Sequence, residues 1–397
     1  MAGRTTSHDV VIVGGRCAGT ATARLLAARG LDVVVVERSD LLGDPLSTHG
    51  LARGGVVQLA RWGLLDEVLA SGAPPCRAVT LGIEGREVRR PLKDRAGVDL
   101  LVAPRRTHLD RILAEAAVAA GAEVLTCTTV RGLVRDPDCR VTGVVARNEA
   151  REDVTLRARY VVGADGLRSS TAGMFGAGIQ QAFISDVATF YTYVDQVPWT
   201  GYELHVGPRS YAGVFPTHDG QAAVWLCRPA ELAAGVRHAG ARRTDALLEA
   251  IAETAPALGE RLRAGRAVSR TRGIVAPPNY VRQAYGDGWA LVGDAGYHRD
   301  PMTGHGITDA LRDAELLADA LHSALTDPTA EQAALVEFQE RRDEALADVF
   351  ELTRELTCFP DTSRFVELQI ELSEALDREA QLLASLPATR AGAVLTA

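Results

Sequence analysis

Three separated clusters in this chain hold residues able to bind or activate a ligand. The first is Gly14-Gly15-Arg16-Cys17-Ala18-Gly19. It follows the apolar, β-branched run Val10-Val11-Ile12-Val13 and precedes an Ala/Leu-rich stretch ending near Arg29-Gly30. A second β-branched run, Val33 to Val36, closes on Glu37-Arg38. Strand, glycine turn, helix, strand and acid in this order make the unit that binds a dinucleotide. Gly14 makes the tight turn, Gly19 lets the helix sit close on the strand, and amides at the helix start attract a pyrophosphate. Glu37 is placed to accept hydrogen bonds from a ribose. Arg16 stands where G-x-G-x-x-G has its middle glycine: close backbone approach is lost, and a guanidinium for the phosphates is gained. Taken alone, the segment could also be a βαβ unit without a nucleotide. Cys17 reads as a small packing residue rather than a nucleophile.

The second cluster is Val162-Gly163-Ala164-Asp165-Gly166-Leu167-Arg168-Ser169, and the third runs from Gly293-Asp294-Ala295 through Pro301 to Gly304-His305-Gly306-Ile307-Thr308. Each is a strand end followed by a loop. His298 and His305 flank the start of a helix, but no third ligand at useful spacing accompanies them, so no metal is expected. No Ser/His/Asp triad is required either, for reasons given below.

The elements that must position these clusters can be read in outline. At 397 residues the chain has room for two intimate domains or one large one. It carries 51 acidic against 43 basic residues, a net −8, which argues against a nucleic-acid or anionic-membrane surface. The six cysteines lie far apart with no C-x-x-C pair, as in a reduced cytoplasmic protein. No run of about 20 apolar residues predicts a membrane span, and the oligomeric state is not legible. Residues 54–65 suit a helix. Residues 76–101 read as an antiparallel excursion. A helix carries Leu109, Ile112, Leu113 and Ala116 on one face, Glu123 to Val130 is a strand, and hairpins turn at Asp136-Pro137-Asp138 and near Asn148. From Phe175 to about Val275 strand-like runs predominate and aromatics cluster, mostly as core, with some suited to the wall of a flat apolar ligand site. A long helix begins near Gly304–Gly306. The remainder is helical, interrupted at Phe359-Pro360, and is expected to pack across both domains.

Together the three clusters, in this order over most of residues 8 to 325, resemble the FAD-dependent monooxygenases of the para-hydroxybenzoate hydroxylase type (group A flavoprotein monooxygenases). The resemblance implies an α/β fold: a Rossmann-type FAD-binding domain of parallel sheet and helices, interleaved with a mixed β-sheet substrate domain and followed by a helical C-terminus. The FAD-binding domain would take residues 1–75, 101–175 and 276–340, the substrate domain 76–100 and 176–275, and the C-terminal helices 341–397. It further implies that Gly14, Arg16, Cys17, Ala18, Gly19, Glu37 and Arg38 hold the adenosine diphosphate half of FAD. Arg53 would reach the FAD, Arg106 the diphosphate or ribityl chain, and the Val130 backbone the adenine. Asp165 belongs to the motif tied to FAD and pyridine nucleotide, and Asp294 would bind ribityl hydroxyls. Pro301, Gly304, Gly306 and Ile307 would lie beside the isoalloxazine, where a helix N-terminus stabilises the anionic reduced ring. The chain departs from the family at Ala172, Tyr297, His305 and Thr308, which bears mainly on pyridine-nucleotide handling.

The activity so implied is oxygen insertion into an aromatic or polyketide-like small molecule. NADPH or NADH would bind transiently as reductant, O2 would be the co-substrate, and a flavin C4a-hydroperoxide would carry the oxygen. The cofactor supplies the chemistry and the protein positions and desolvates. Tyr193, Arg209, Tyr211 and His218 are candidates to meet the substrate, and His49 and Tyr211 are candidates for a base that activates a phenol. Related classes with this fold are the geranylgeranyl-reductase type, acting on an olefin, and the flavin-dependent halogenases. The Trp-x-Trp-x-Ile-Pro segment of tryptophan halogenases is absent and lysine is nearly so.

Overall fold

The computed structural model describes residues 4–387. Strands β1 (Arg4–Val13) and β2 (Val33–Val36) run parallel, paired from Val10–Val33 to Val13–Val36, with helix α1 (Cys17–Ala27) crossing between them. Both apolar runs are buried on both faces, which is why they lack polar alternation. Next come α2 (Arg53–Arg61), the short α3 (Leu65–Ala70) and a hairpin of β3 (Ala78–Ile83) and β4 (Arg86–Pro91). Helix α4 (Arg106–Ala119) buries Leu109, Ile112, Leu113 and Ala117; Ala116 is only half-buried. The strand expected over 123–130 is two strands, β5 (Glu123–Leu125) and β6 (Thr129–Arg135), because Cys127 turns left-handed between them at φ 51°. Hairpins through β7 (Val141–Arg147) lead to the long β8 (Asp153–Gly163).

After α5 (Ser170–Phe175) the chain lays down β9 (Ile179–Ile184), β10 (Val187–Asp195), β11 (Tyr202–Gly207), β12 (Ser210–Pro216) and β13 (Ala222–Pro229). Helices α6 (Ala234–His238), α7 (Arg243–Thr254) and α8 (Pro256–Arg263) follow, then β14 (Arg266–Ala267), β15 (Arg272–Val275), β16 (Pro278–Arg282), β17 (Tyr285–Gly286), β18 (Trp289–Leu291) and β19 (Tyr297–His298). The chain closes with α9 (Gly306–Thr326), α10 (Glu331–Thr357) and α11 (Thr362–Ser385).

Two large sheets result. One has the order β17-β18-β8-β1-β2-β5, with β7 and β6 attached through β8; its central neighbours are parallel. The other has the order β14-β10-β13-β12-β11-β3-β4, with β15 on β10. The segment 78–91 therefore joins the later strands through a parallel β3–β11 pair. A third sheet, β19-β16-β9, was not expected. One face of the second sheet packs on α7 and α8, and the aromatic side chains of its other face meet α11. Helix α11 straddles the layers: Phe365, Leu368 and Leu372 pack on the second sheet, and Ala380 and Leu383 on the first core.

Candidate active site

The carboxyl ends of β1, β2 and β8 open onto a cleft of about 450 Å³ between the two large sheets. All three clusters meet there. Gly14, Arg16, Cys17, Ala18, Glu37 and Arg38 line it, with Val130 beside Glu37 because the Thr128 amide bonds the Glu37 carbonyl at 2.9 Å; Arg106, Asp165 and Asp294 line it too, as do Pro301, Gly304, Gly306 and Ile307.

The first cluster is made by tight packing. Gly14 has φ +112°, and a Cβ there would stand 2.4 Å from the Ala164 carbonyl oxygen. A Cβ on Gly19 would stand 1.8 Å from the Gly14 oxygen. So Gly19 is not a lining residue; it lets α1 sit on the turn and aim its start at the cleft. No side chain caps α1, and its first amides stay free for an anion. Asp110, which sequence reasoning missed, gathers the cations beside it: Arg16 Nη1 donates to it at 2.7 Å, Arg106 Nε at 2.9 Å and the Cys17 thiol at 3.2 Å. Two guanidiniums against one carboxylate leave a net positive cradle. Burial pushes the Cys17 thiol well above its ordinary range, so it is not a thiolate nucleophile. The Glu37 carboxylate accepts from the Gly15 amide at 2.7 Å and the Ser39 amide at 2.8 Å, which fixes it at the edge of the cleft.

In the second cluster, Asp165 accepts from Ser170 Oγ at 3.1 Å and the Thr171 amide at 3.0 Å, clasping its loop to α5. The Tyr280 hydroxyl donates to the carbonyls of Asp294 at 2.7 Å and Leu167 at 3.1 Å, tying the second cluster to the third. Burial raises the Asp294 carboxyl above its ordinary value. No described residue donates a hydrogen bond to that carboxylate, though it faces the cleft, and a hydroxyl-bearing chain would satisfy it. In the third cluster, Asp300 Oδ1 accepts from the Met302 amide, Gly304 is left-handed, and α9 starts with no side-chain cap. Two uncapped helix starts, a cationic cradle and an unpartnered carboxylate between them match the diphosphate, ring edge and ribityl chain of FAD in that order.

The cleft meets the second sheet at its far end. His49, buried and at φ 55°, lines the cleft with Thr189, Tyr191 and Ile274. Its Nε2 bonds the Tyr193 hydroxyl, and the rings stack at 5.5 Å. Arg105 covers the other side of the Tyr193 ring at 3.9 Å, and Tyr191 accepts from the Ser47 amide at 3.2 Å. Burial holds the His49 imidazole down to about 3, so it is neutral.

Besides Gly19, five candidates lie off the cleft lining. Tyr193 stands behind His49. Arg53 is buried against the Val98 carbonyl and Asp377. Arg209 sits in the hairpin turn at φ 46° and pairs with Glu231 at the surface. Tyr211 is packed among Trp225 and Phe365 beneath α11. His218, a candidate to meet the substrate from the turn at Thr217–Gly220, is buried away from the cleft: it stacks on His108 at 4.1 Å and bonds Ser71 at 3.0 Å. The third partner that spacing did not supply for His305 comes from the last helix. His305, Asp309 and Glu379 hold ligand atoms within 4.8 Å of one another. Arg312 pairs with both carboxylates and Arg299 with Asp309, so the cluster is an ion-pair network rather than a vacant metal site.

The family described as FAD binding domain matches residues 7–353, and the chain belongs to it. Digeranylgeranylglycerophospholipid reductase 2 of Methanopyrus kandleri is 29% identical over 387 residues, covering 94% of this chain and 91% of the relative. Among solved structures, PqsL of Pseudomonas aeruginosa, whose own description is "a probable FAD-dependent monooxygenase", superposes with TM-score 0.76 at 24% identity, over 92% of this chain and 100% of its own. The flavin-dependent brominase Bmp2 gives 0.76 at 18%, over 94% of each chain. The α/β fold with its helical C-terminus is thus shared, and the protein is a flavin-dependent oxidoreductase with FAD as cofactor. Among the described residues no helix is long and apolar enough to cross a membrane.

Proposed function

We propose that the protein is an FAD-dependent monooxygenase that uses NADPH or NADH and O2 to insert one oxygen into a compact aromatic or polyketide-like molecule. The supporting observation is the wall facing the start of α9. It is short, aromatic and polar, built by His49 with Tyr193 behind it, Tyr191 and Thr189, with Ile274 beside them. Such a wall suits a flat ligand bearing an oxygen. Bound FAD supplies the redox chemistry and the activation of oxygen. The chain does the rest. Arg16, Arg106 and the start of α1 hold the diphosphate, Glu37 the ribose, and Asp294 the ribityl hydroxyls. The start of α9 favours negative charge on the ring edge. His49 meets the oxygen of the substrate, and the second sheet keeps water out of the far end.

A second reading, reduction of an isoprenoid olefin, is favoured by several curated relatives named digeranylgeranylglycerophospholipid reductases. One experiment separates the two: purified holoprotein with NADPH and a panel of phenolic, polycyclic and isoprenoid compounds, with and without O2. Stimulated NADPH oxidation and a product heavier by one oxygen support the proposal. A product gaining two hydrogens, formed equally well without O2, replaces it with the reductase reading.

A further inference from the structure

One strand edge lacks the guards that the other edges carry. Strand β9 pairs with β16 on one side only. Among the described residues, none of its backbone groups facing the other way has a partner. Its sequence, Ile179-Gln180-Gln181-Ala182-Phe183-Ile184, has no charge and no proline. All but Phe183 are exposed, Ile184 by 95% and Ile179 by 56%. A free edge is a template for pairing with another chain, and proteins blunt it with charge, proline or shortness. The other edges here are blunted in that way. β4 carries Arg86, Glu87, Arg89 and Arg90 and ends on Pro91; β5, β6, β14 and β15 each carry a charged residue; β17 and β19 are two residues long. The surface beside β9 is also poor in charge. A recess bounded by Gly178, Gln180, Gln283, Tyr285, Gln332 and Gln339 holds one charged residue, Asp287. Two copies of a chain of net −8 repel, and they meet at least cost where acidic groups are scarce. Interface centres are depleted of charge in the same way.

We propose that β9 is the contact between two copies of this chain, which pair antiparallel through it about a two-fold axis and join two three-stranded sheets into one of six strands. The occupant is a second copy because it brings the matching free strand itself. Backbone groups face outward at every second residue of an edge strand, so a symmetric antiparallel pair has a residue on its axis. An axis at Gln181 or Ala182 pairs all of β9 but one terminal isoleucine. The contact lies on the sheet that steadies the third cluster. Ser185, next after β9, donates to Asp300 at 2.8 Å, and Asn279 of β16 accepts from the Asp300 amide at 2.6 Å. The inference rests on no assignment of the reaction.

Sedimentation velocity of the full chain with FAD bound is expected to show a dimer at about 10 µM. The double variant Gln181→Lys, Ala182→Lys sets like charges at the axis, on exposed positions. It should weaken association at least about a hundredfold and keep its bound FAD. Ile184→Lys alone should weaken association by a smaller factor, and it carries the test if the double variant misfolds. Ile370→Lys, at an isoleucine 55% exposed on α11, should leave the dimer intact. Hydrogen exchange of the outward-facing β9 amides should be slow in the dimer and fast in the lysine variants. A monomer at about 100 µM, or a dimer that survives the lysine variants, overturns the proposal. So does slow exchange that persists in the monomeric variants, because another segment of the same chain would then cover the edge.

Discussion

At the nucleotide end of the cleft, most ligand-facing groups come from one local unit, with Arg106 added from α4. Gly14 to Ala18 and Glu37 are set by two adjacent parallel strands and the helix between them. At the opposite end only the loop from Pro301 to Ile307 is local. His49 meets Tyr193 from β10, Ile274 comes from β15, and His305 is held by Glu379 from α11. The first end is rigid by construction, because close packing leaves its glycines no room. The second is assembled by long-range contacts between two sheets and a terminal helix, which can be exchanged without touching the first. One end grips what every member of such a family must hold, and the other can be retuned for a particular substrate.

The largest expected effect attacks the packed end. Gly19→Val would drive side-chain carbon into the Gly14 carbonyl, 1.8 Å from even a Cβ. We expect a loss of about 3 kcal/mol or more and protein purified without yellow colour. Full FAD occupancy in that variant would break the contrast between the two ends. Next, Asp294→Ala removes a charged acceptor, worth about 1.5–3 kcal/mol. FAD affinity should fall roughly tenfold to hundredfold, while the apoprotein melts no lower, because burial already disfavours that charge. Fluorescence titration and calorimetry read the two.

At the other end, His49→Ala should leave FAD affinity close to the natural value and lower substrate-stimulated NADPH oxidation by about a hundredfold, the range of a positioned acid or base. Tyr193→Phe, removing only the partner of His49, should cost about tenfold. If His49→Ala instead loses FAD and keeps its stimulation, the division of labour is wrong.

The same contrast explains what could be read in advance. The turn, the acid at Glu37 and the Asp165 and Asp294 loops follow from local rules of strand, glycine and helix start. Asp110 was missed because a carboxylate inside an amphipathic helix gives no signal until α1 and α4 are packed together. His49 and His218 look alike as loop histidines. Only the second sheet distinguishes them, setting one in the cleft wall and burying the other on His108. Glu379 lies 74 residues beyond His305 on an ordinary amphipathic helix, and no spacing rule joins them.

The last effect concerns pH and again separates the ends. Asp300 is wholly buried beside Pro301, accepts from Ser185 at 2.8 Å, and is raised by burial from 3.8 to about 6. Below 3.8 the carboxyl is protonated in both folded and unfolded chains. As pH rises from there to 6 the unfolded chain loses its proton first, so stability is lost across that window and stays lower above it. His49 acts in the opposite sense. It is neutral when folded down to about 3, so its contribution is complete above 6.5 and is lost as pH falls. The two tend to cancel in the natural protein between pH 4 and 6, and only a variant exposes either. Asp300→Asn keeps an acceptor for Met302 and gains a donor for Ser185, yet never ionises. It should be more stable at pH 7.5 by about 1–3 kcal/mol, shrinking to about a third of that at pH 4.5. Urea unfolding at the two pH values measures this. An equal gain at both would mean that Asp300 is not held protonated above its ordinary range, and that burial at the substrate end costs less than its geometry implies.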